Sequence, residues 1–303
     1  MGRVYRQQRV EGVTLPAIIR NGSYFWHDMA VYEDGTVSIW EKIDLEEIPQ
    51  KLAVKKLMFD VPNGGELSVF ELCSLKIVSA EWKYTEQSYY EHIVDTVRSI
   101  NPEMANIYKT TQREKAKWKE YHVVFSAQPT PYKLGARFGY ELLKGNNAHI
   151  FLRKDGKLLL TEIYCYKDGT FSIDGMGEEF LEFSEIERLF KEKTLTTKPR
   201  EDESISLGDL GTVIAEVSRV VSAKNKLAEL RNKSLRVQGK PDAHENAINA
   251  YHAYLVEPTD FYKERLREAY EAVPEHERMY LGDMDTRDGD FRRILYTNEK
   301  REV

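Results

Sequence analysis

Residues 15–39 read LPAIIRNGSYFWHDMAVYEDGTVSI, and residues 149–173 read HIFLRKDGKLLLTEIYCYKDGTFSI. Set together without a gap, at an offset of 134, they share seven identities in 25 positions: Gly22/Gly156, Tyr32/Tyr166, Asp34/Asp168, Gly35/Gly169, Thr36/Thr170, Ser38/Ser172 and Ile39/Ile173. Composition alone supplies roughly one or two. The identities fall where backbone geometry is demanding. Asn21-Gly22 and Asp155-Gly156 tolerate the two positive φ angles at the centre of a type I′ hairpin turn. Asp34-Gly35 and Asp168-Gly169 repeat that chemistry thirteen residues later. Between the turns the residues alternate and are rich in aromatic and branched types, as strands require. Each stretch therefore predicts a three-stranded β-meander.

The likeness extends outward more faintly. Ser184 and Glu187 form a capping-box pattern ahead of Ile186, Leu189 and Phe190, and Pro49 suits the first turn of a counterpart helix bearing Leu52. Leu72, Leu75, Ala80 and Glu81 match Leu207, Leu210, Ala215 and Glu216 at an offset of 135. In the second stretch this reads as a long helix, capped by Ser206 or Asp209 and striped by Leu210, Val213, Ile214, Val217, Val220, Val221 and Leu227. In the first, a helix from about Thr85 carries Tyr89, Ile93, Val97 and Ile100 on one face and is broken by Asn101-Pro102. Residues 103–120 read as a basic helix, 121–126 as a strand, and both 128–131 and 194–204 as linkers. Residues 233–242 lead into a segment of different character. There Asp242 and Glu245 cap one helix, and a second follows Pro258 with Tyr262, Leu266, Ala269, Tyr270 and Val273 at helical spacing. The expected fold class is α+β, a tandem duplication of a three-stranded antiparallel β-meander plus helices, with a small helical C-terminal segment. The expected domains are 1–126, 127–232 and 233–303.

Composition bounds the function. Of 303 residues 41% are hydrophobic and 31% charged, enough for a sizeable core under a charged surface. No apolar run approaches the roughly 20 residues that span a bilayer, and the first residues hold no apolar signal region, so no membrane association is expected. Cys73 and Cys165 are too few for a disulfide framework or a cysteine zinc site, which points to a reducing cytoplasmic setting. A formal net charge of −6 argues against nucleic acid as a partner.

Chemistry-bearing candidates are few. Asp283, Asp285, Asp288 and Asp290 place four carboxylates in eight residues, hard oxygen ligands of the kind that hold Mg²⁺ or Mn²⁺, with His276 upstream as an acid or base. The spacing is not that of an EF-hand, and the competing reading has these acids capping a helix and pairing with Arg287, Arg292 and Arg293. Asp28 and Glu162 recur at the same place in the two meanders, on the face that also carries Tyr24, Trp26, Tyr32, Tyr164 and Tyr166. If the two stretches meet about a pseudo-twofold axis, the carboxylates face each other, and one acquires a raised pKa suited to acid–base work. The competing reading pairs each with a nearby Lys or Arg. Lys109, Arg113, Lys115, Lys117 and Lys119 are interleaved with Tyr108, Trp118 and Tyr121, but at helical spacing they scatter around the axis, as on a solvated helix. HExxH, GxSxG, Walker and GxGxxG patterns are absent from the sequence.

With no local catalytic signature, the sequence favours a non-catalytic cytoplasmic binding or scaffold protein. Tyr24, Trp26, Tyr32, Tyr164 and Tyr166 would hold a protein partner or a second copy, without a cofactor. The alternative is a metal-dependent phosphoester hydrolase or nuclease that uses Mg²⁺ or Mn²⁺ at Asp283, Asp285, Asp288 and Asp290, with His276, Asp28 and Glu162 as the catalytic candidates.

Overall fold

The computed structural model describes residues 9–114, 116, 129–135, 141–177, 179–282 and 287–297. A first unit runs β1 (Gly12–Asn21), β2 (Ser23–Tyr32), β3 (Thr36–Ser38), β4 (Lys42–Asp44), α1 (Ile48–Ala53), β5 (Leu57–Met58), β6 (Glu66–Val69), β7 (Cys73–Trp82) and α2 (Glu86–Ile100). After β8 (Tyr132–Leu134), a second unit runs β9 (Leu142–Lys154), β10 (Lys157–Tyr166), β11 (Phe171–Ile173), α3 (Phe183–Lys191), β12 (Leu195–Thr196), β13 (Ile205–Ser206), β14 (Gly211–Val220) and α4 (Ala223–Val237). The C-terminal region adds α5 (Ala243–Val256), α6 (Asp260–Ala272), a 3₁₀ turn (Glu275–Tyr280) and α7 (Gly289–Tyr296).

Along one hydrogen-bonded path the strands stand in the order β12-β9-β10-β13-β14-β7-β6-β2-β1-β5. That order reads the same from either end once each strand is exchanged for its counterpart in the other unit. The joint is the antiparallel β7–β14 ladder, from Cys73 opposite Val220 to Trp82 opposite Gly211. Within each unit the meander strand takes a parallel neighbour: Tyr24 stands beside Leu67, and Leu158 beside Ile205. Tyr24 and Leu158 are 134 apart in sequence, whereas Leu67 and Ile205 are 138 apart. In the 138 register Ile77 corresponds to Ala215. These two are paired with each other, so the local pseudo-dyad passes close to them.

That register corrects the sequence reading. The match at 135 is three residues out, and the long helix expected from Leu210 to Leu227 is strand β14 followed by α4. Valine and isoleucine at three- and four-residue intervals imitate a helical stripe, but a short branched run suits a strand equally. Two bulges, between Ile214 and Ala215 and between Val217 and Arg219, break its period-two alternation. The first hairpin also differs from expectation. Asp155 and Gly156 both have positive φ, as a type I′ turn needs, but at Asn21-Gly22 only Gly22 does, because that hairpin is one residue shorter. The capping box of α3 uses Glu182 and Glu185 in place of Ser184 and Glu187. Residues 103–111 are turn and coil, held by the Thr110 N–H on Asp44. The strand expected at 121–126 lies outside the described residues.

Helices pack where apolar stripes predict. Thr85 caps α2 through a reciprocal bond with Ser88, and Tyr89, Ile93 and Val97 are wholly buried. The Tyr89 hydroxyl donates to the Pro16 carbonyl at 2.8 Å, which ties α2 to β1. One apolar core runs through both units, from Ile18, Met29 and Leu75 to Ile150, Phe171 and Leu230. The C-terminal helices build a separate core around Leu266, Tyr270, Phe291 and Leu295, with the Tyr251 ring stacked 4.6 Å from Phe291. As expected, Asp242 caps α5 by accepting from the Glu245 N–H, and Val273-Pro274 ends the following helix. The division expected at 233 cuts through α4, which continues to Val237. Among the described residues no helix is long and apolar enough to cross a membrane.

Candidate functional site between the two units

Six strand spacings separate β9 from β2 along the hydrogen-bonded path, about 29 Å in a flat sheet. Yet Asp28 Oδ2 on β2 lies 2.5 Å from His149 Nε2 on β9. The sheet therefore curls back on itself, and the acid-bearing faces of the two meanders meet. Glu162 stands directly opposite His149 on β10. Asp28, His149 and Glu162 bring their ligating atoms within 4.8 Å of one another. Each carboxylate is held by its own unit. The Trp26 Nε1–H donates to Asp28 Oδ1 at 3.2 Å, the Tyr164 hydroxyl to Glu162 Oε2 at 2.6 Å, and the Asn147 amide to Glu162 Oε1.

Burial and proximity set the electrostatics. Loss of solvent and the nearby Asp28 charge raise the Glu162 pKa above the ordinary carboxylate range. For His149, burial alone favours the neutral ring. The hydrogen bond and charge of Asp28, with the charge of Glu162, outweigh it and raise the pKa. Burial and Glu162 together push the Tyr164 phenol up, so it remains a donor.

The recurrence of an acid on both meanders was legible in the sequence, but His149 was not. The gapless alignment sets it against Leu15. The one-residue difference between the hairpins instead makes Pro16, opposite Asp28, the positional counterpart of His149, opposite Glu162. The imidazole thus belongs to one unit only, and the pseudo-symmetry is broken at the place where the two acids meet.

A second polar cluster lies under α4. Counted from the caps Thr85 and Ser222, Lys226 occupies the place of Tyr89, Glu229 that of His92 and Lys233 that of Thr96. Lys226 and Glu229 are fully buried and 2.8 Å apart. Lys233 reaches Glu71 of the first unit at 3.0 Å, and His276 of the C-terminal region reaches Glu229 at 2.9 Å. Lys226 is close enough to oppose protonation of His149, so its charge is felt at the site between the units.

The other expected site residues fall elsewhere. His276 Nε2 lies 2.9 Å from Glu229 Oε2, and among the described residues no aspartate is bonded to it. Asp288 accepts from the Tyr270 hydroxyl at 2.8 Å rather than from an arginine, and Asp290 pairs with Arg293, also at 2.8 Å. Asp283 and Asp285 lie outside the described residues. Trp26 and Tyr166 are each only 6% exposed, and Tyr24, Tyr32 and Tyr164 are half-buried. The aromatic face expected to hold a partner is thus largely enclosed by the protein itself.

The fold and site define a two-unit α+β protein with a carboxylate–histidine centre at the junction of the units. The chain belongs to the family described as "Domain of unknown function (DUF7638)", matched over residues 1–104 and 136–241, one segment on each unit. Residues 242–302 match a second family, "Domain of unknown function (DUF7639)", whose span begins where α5 is capped. No curated protein and no solved structure matches the chain.

Proposed function

We propose that this protein binds a divalent transition-metal ion through Asp28, His149 and Glu162 and keeps an open coordination position on it. Convergence of the three ligating atoms within 4.8 Å, contributed by both units, carries this reading. Two carboxylates and one imidazole suit Mn²⁺, Fe²⁺ or Zn²⁺ better than the all-oxygen preference of Mg²⁺ or Ca²⁺. Trp26, Tyr164 and Asn147 orient the carboxylates from behind, as outer partners do in metal sites. Three protein ligands leave room for a water, which a metal there would acidify and aim. A cation would also relieve the crowding of two acids at a site only partly open to solvent. Coordination through His149 Nε2 requires that nitrogen to carry no proton, so uptake of metal by a protonated ring releases acid.

Calorimetry of the metal-free full chain with Mn²⁺ and Zn²⁺ tests this. About one equivalent should bind, and His149→Ala should weaken binding by about 10- to 100-fold or more. Equal heats from the wild type and from both His149→Ala and Glu162→Gln would remove the reading.

Tandem duplication is the origin that best accounts for the two units, given the mirrored strand order and the recurring Asp-Gly turns. A second functional reading, a cytoplasmic protein-binding module, draws support from Leu255, Val256 and Phe261. These apolar side chains are exposed together at the α5–α6 turn. If they mediate self-association, Phe261→Asp should lower the mass seen by sedimentation equilibrium, and an unchanged monomer would discount it.

A further inference from the structure

A cavity of about 470 Å³ opens between the end of α4 and the C-terminal region, lined by Glu71, Arg236, Lys240, Glu245, Glu277 and Tyr280 among others. Its volume suits a small organic molecule. We propose that it binds a small alkylammonium, held by the carboxylate of Glu277.

Most charges around the cavity already have partners. Lys226 and Lys233 are met by Glu229 and Glu71. Arg236 closes on Asp242 with contacts of 2.8 and 2.6 Å, and the Lys240 ammonium is held by Gln238 at 2.7 Å. Glu277 is left over. It is only 7% exposed and lines the cavity, yet its carboxylate forms no hydrogen bond or ion pair among the described residues. Burying a carboxylate without a partner is costly, and burial together with Glu229 and Glu71 raises its pKa. A cation in the cavity relieves all of these at once. An anion would face Glu277, Glu245 and Glu71 while finding the nearest cations occupied. The Tyr280 ring and the methylene stem of Lys240 supply a wall for an alkyl body, and the ring also attracts a cation over its face. The His244 bond to the Tyr280 carbonyl, 2.9 Å long, fixes that wall to α5.

The test is calorimetry on the full chain at pH 8 and constant chloride, with butylammonium as probe and butanol and butyrate as its neutral and anionic counterparts. Butylammonium should bind saturably and at least tenfold more tightly than either counterpart. Glu277→Gln should weaken it at least tenfold, and Glu277→Asp, which keeps the charge, should retain most of the affinity. Because Glu71, Glu229, His276 and Lys233 all act on Glu277, binding should weaken as pH falls and the carboxyl becomes neutral. His149→Ala should leave amine binding unchanged, which separates this site from the metal centre. Equal binding of the three probes, no heat from butylammonium, or an unaltered Glu277→Gln variant would each overturn the proposal.

Discussion

Glu229→Gln is expected to destabilise the protein by about 3–5 kcal/mol, read as a lowered urea midpoint at pH 7. Gln fills nearly the same space but cannot neutralise Lys226, which is wholly buried and has Glu229 as its ion-pair partner at 2.8 Å. The substitution also weakens the surroundings of Lys233 and leaves His276 without its carboxylate. Removing both charges of the closest pair, as Lys226→Met with Glu229→Leu, should cost less than Glu229→Gln alone, because no lone buried charge remains. A double variant that is less stable than Glu229→Gln would show that the pair contributes more than its own desolvation cost.

The same residue gives the protein an acid-labile window. Burial alone would raise the Glu229 pKa, but His276, Lys226 and Lys233 together hold it near 2, against about 4.5 for the free side chain. A depressed carboxylate pKa contributes stability that is complete above the unfolded value and lost as pH falls through the folded one. On the order of 3 kcal/mol should therefore disappear between about pH 4.5 and 2 in the wild type. Glu229→Gln should lack that component. Parallel pH profiles for the two proteins would contradict the assignment.

The second large effect is expected at the joint of the units. Gly211 begins β14 at φ +145°, and a Cβ there would lie 2.2 Å from the Glu81 carbonyl oxygen across the ladder. Both the dihedral and the clash forbid a side chain, and backbone atoms cannot swing aside as a flexible side chain could. Gly211→Ala should cost on the order of 3 kcal/mol, seen as a lowered thermal midpoint. Its counterpart in the first unit is Cys73, so the need for glycine is confined to one side. Because this ladder sets how the two units face each other, the variant should also loosen the Asp28–His149 contact and weaken Mn²⁺ binding. An unchanged midpoint would mean that the ladder relaxes freely at that end.

Some of this was decided locally. Asp-Gly pairs set positive φ and hence the hairpins; Thr85, Asp242 and Asn101-Pro102 set helix ends, because caps and prolines act within one turn of chain. The acids Asp28 and Glu162 were legible as a pair because they recur at one strand position. Three things depended on tertiary structure. Strand β14 overrode a helical spacing, because its residues found a partner strand in β7, 138 positions away in the repeat register. His149 joined Asp28 because the sheet curls, and no local pattern carries curvature. Lys226 and Glu229 are tolerated inside because Glu71 and His276 arrive from distant parts of the chain to balance them. Local sequence fixes backbone dihedrals and which faces are apolar, whereas charge balance in a dry interior depends on every element that reaches it, and only the assembled fold determines that.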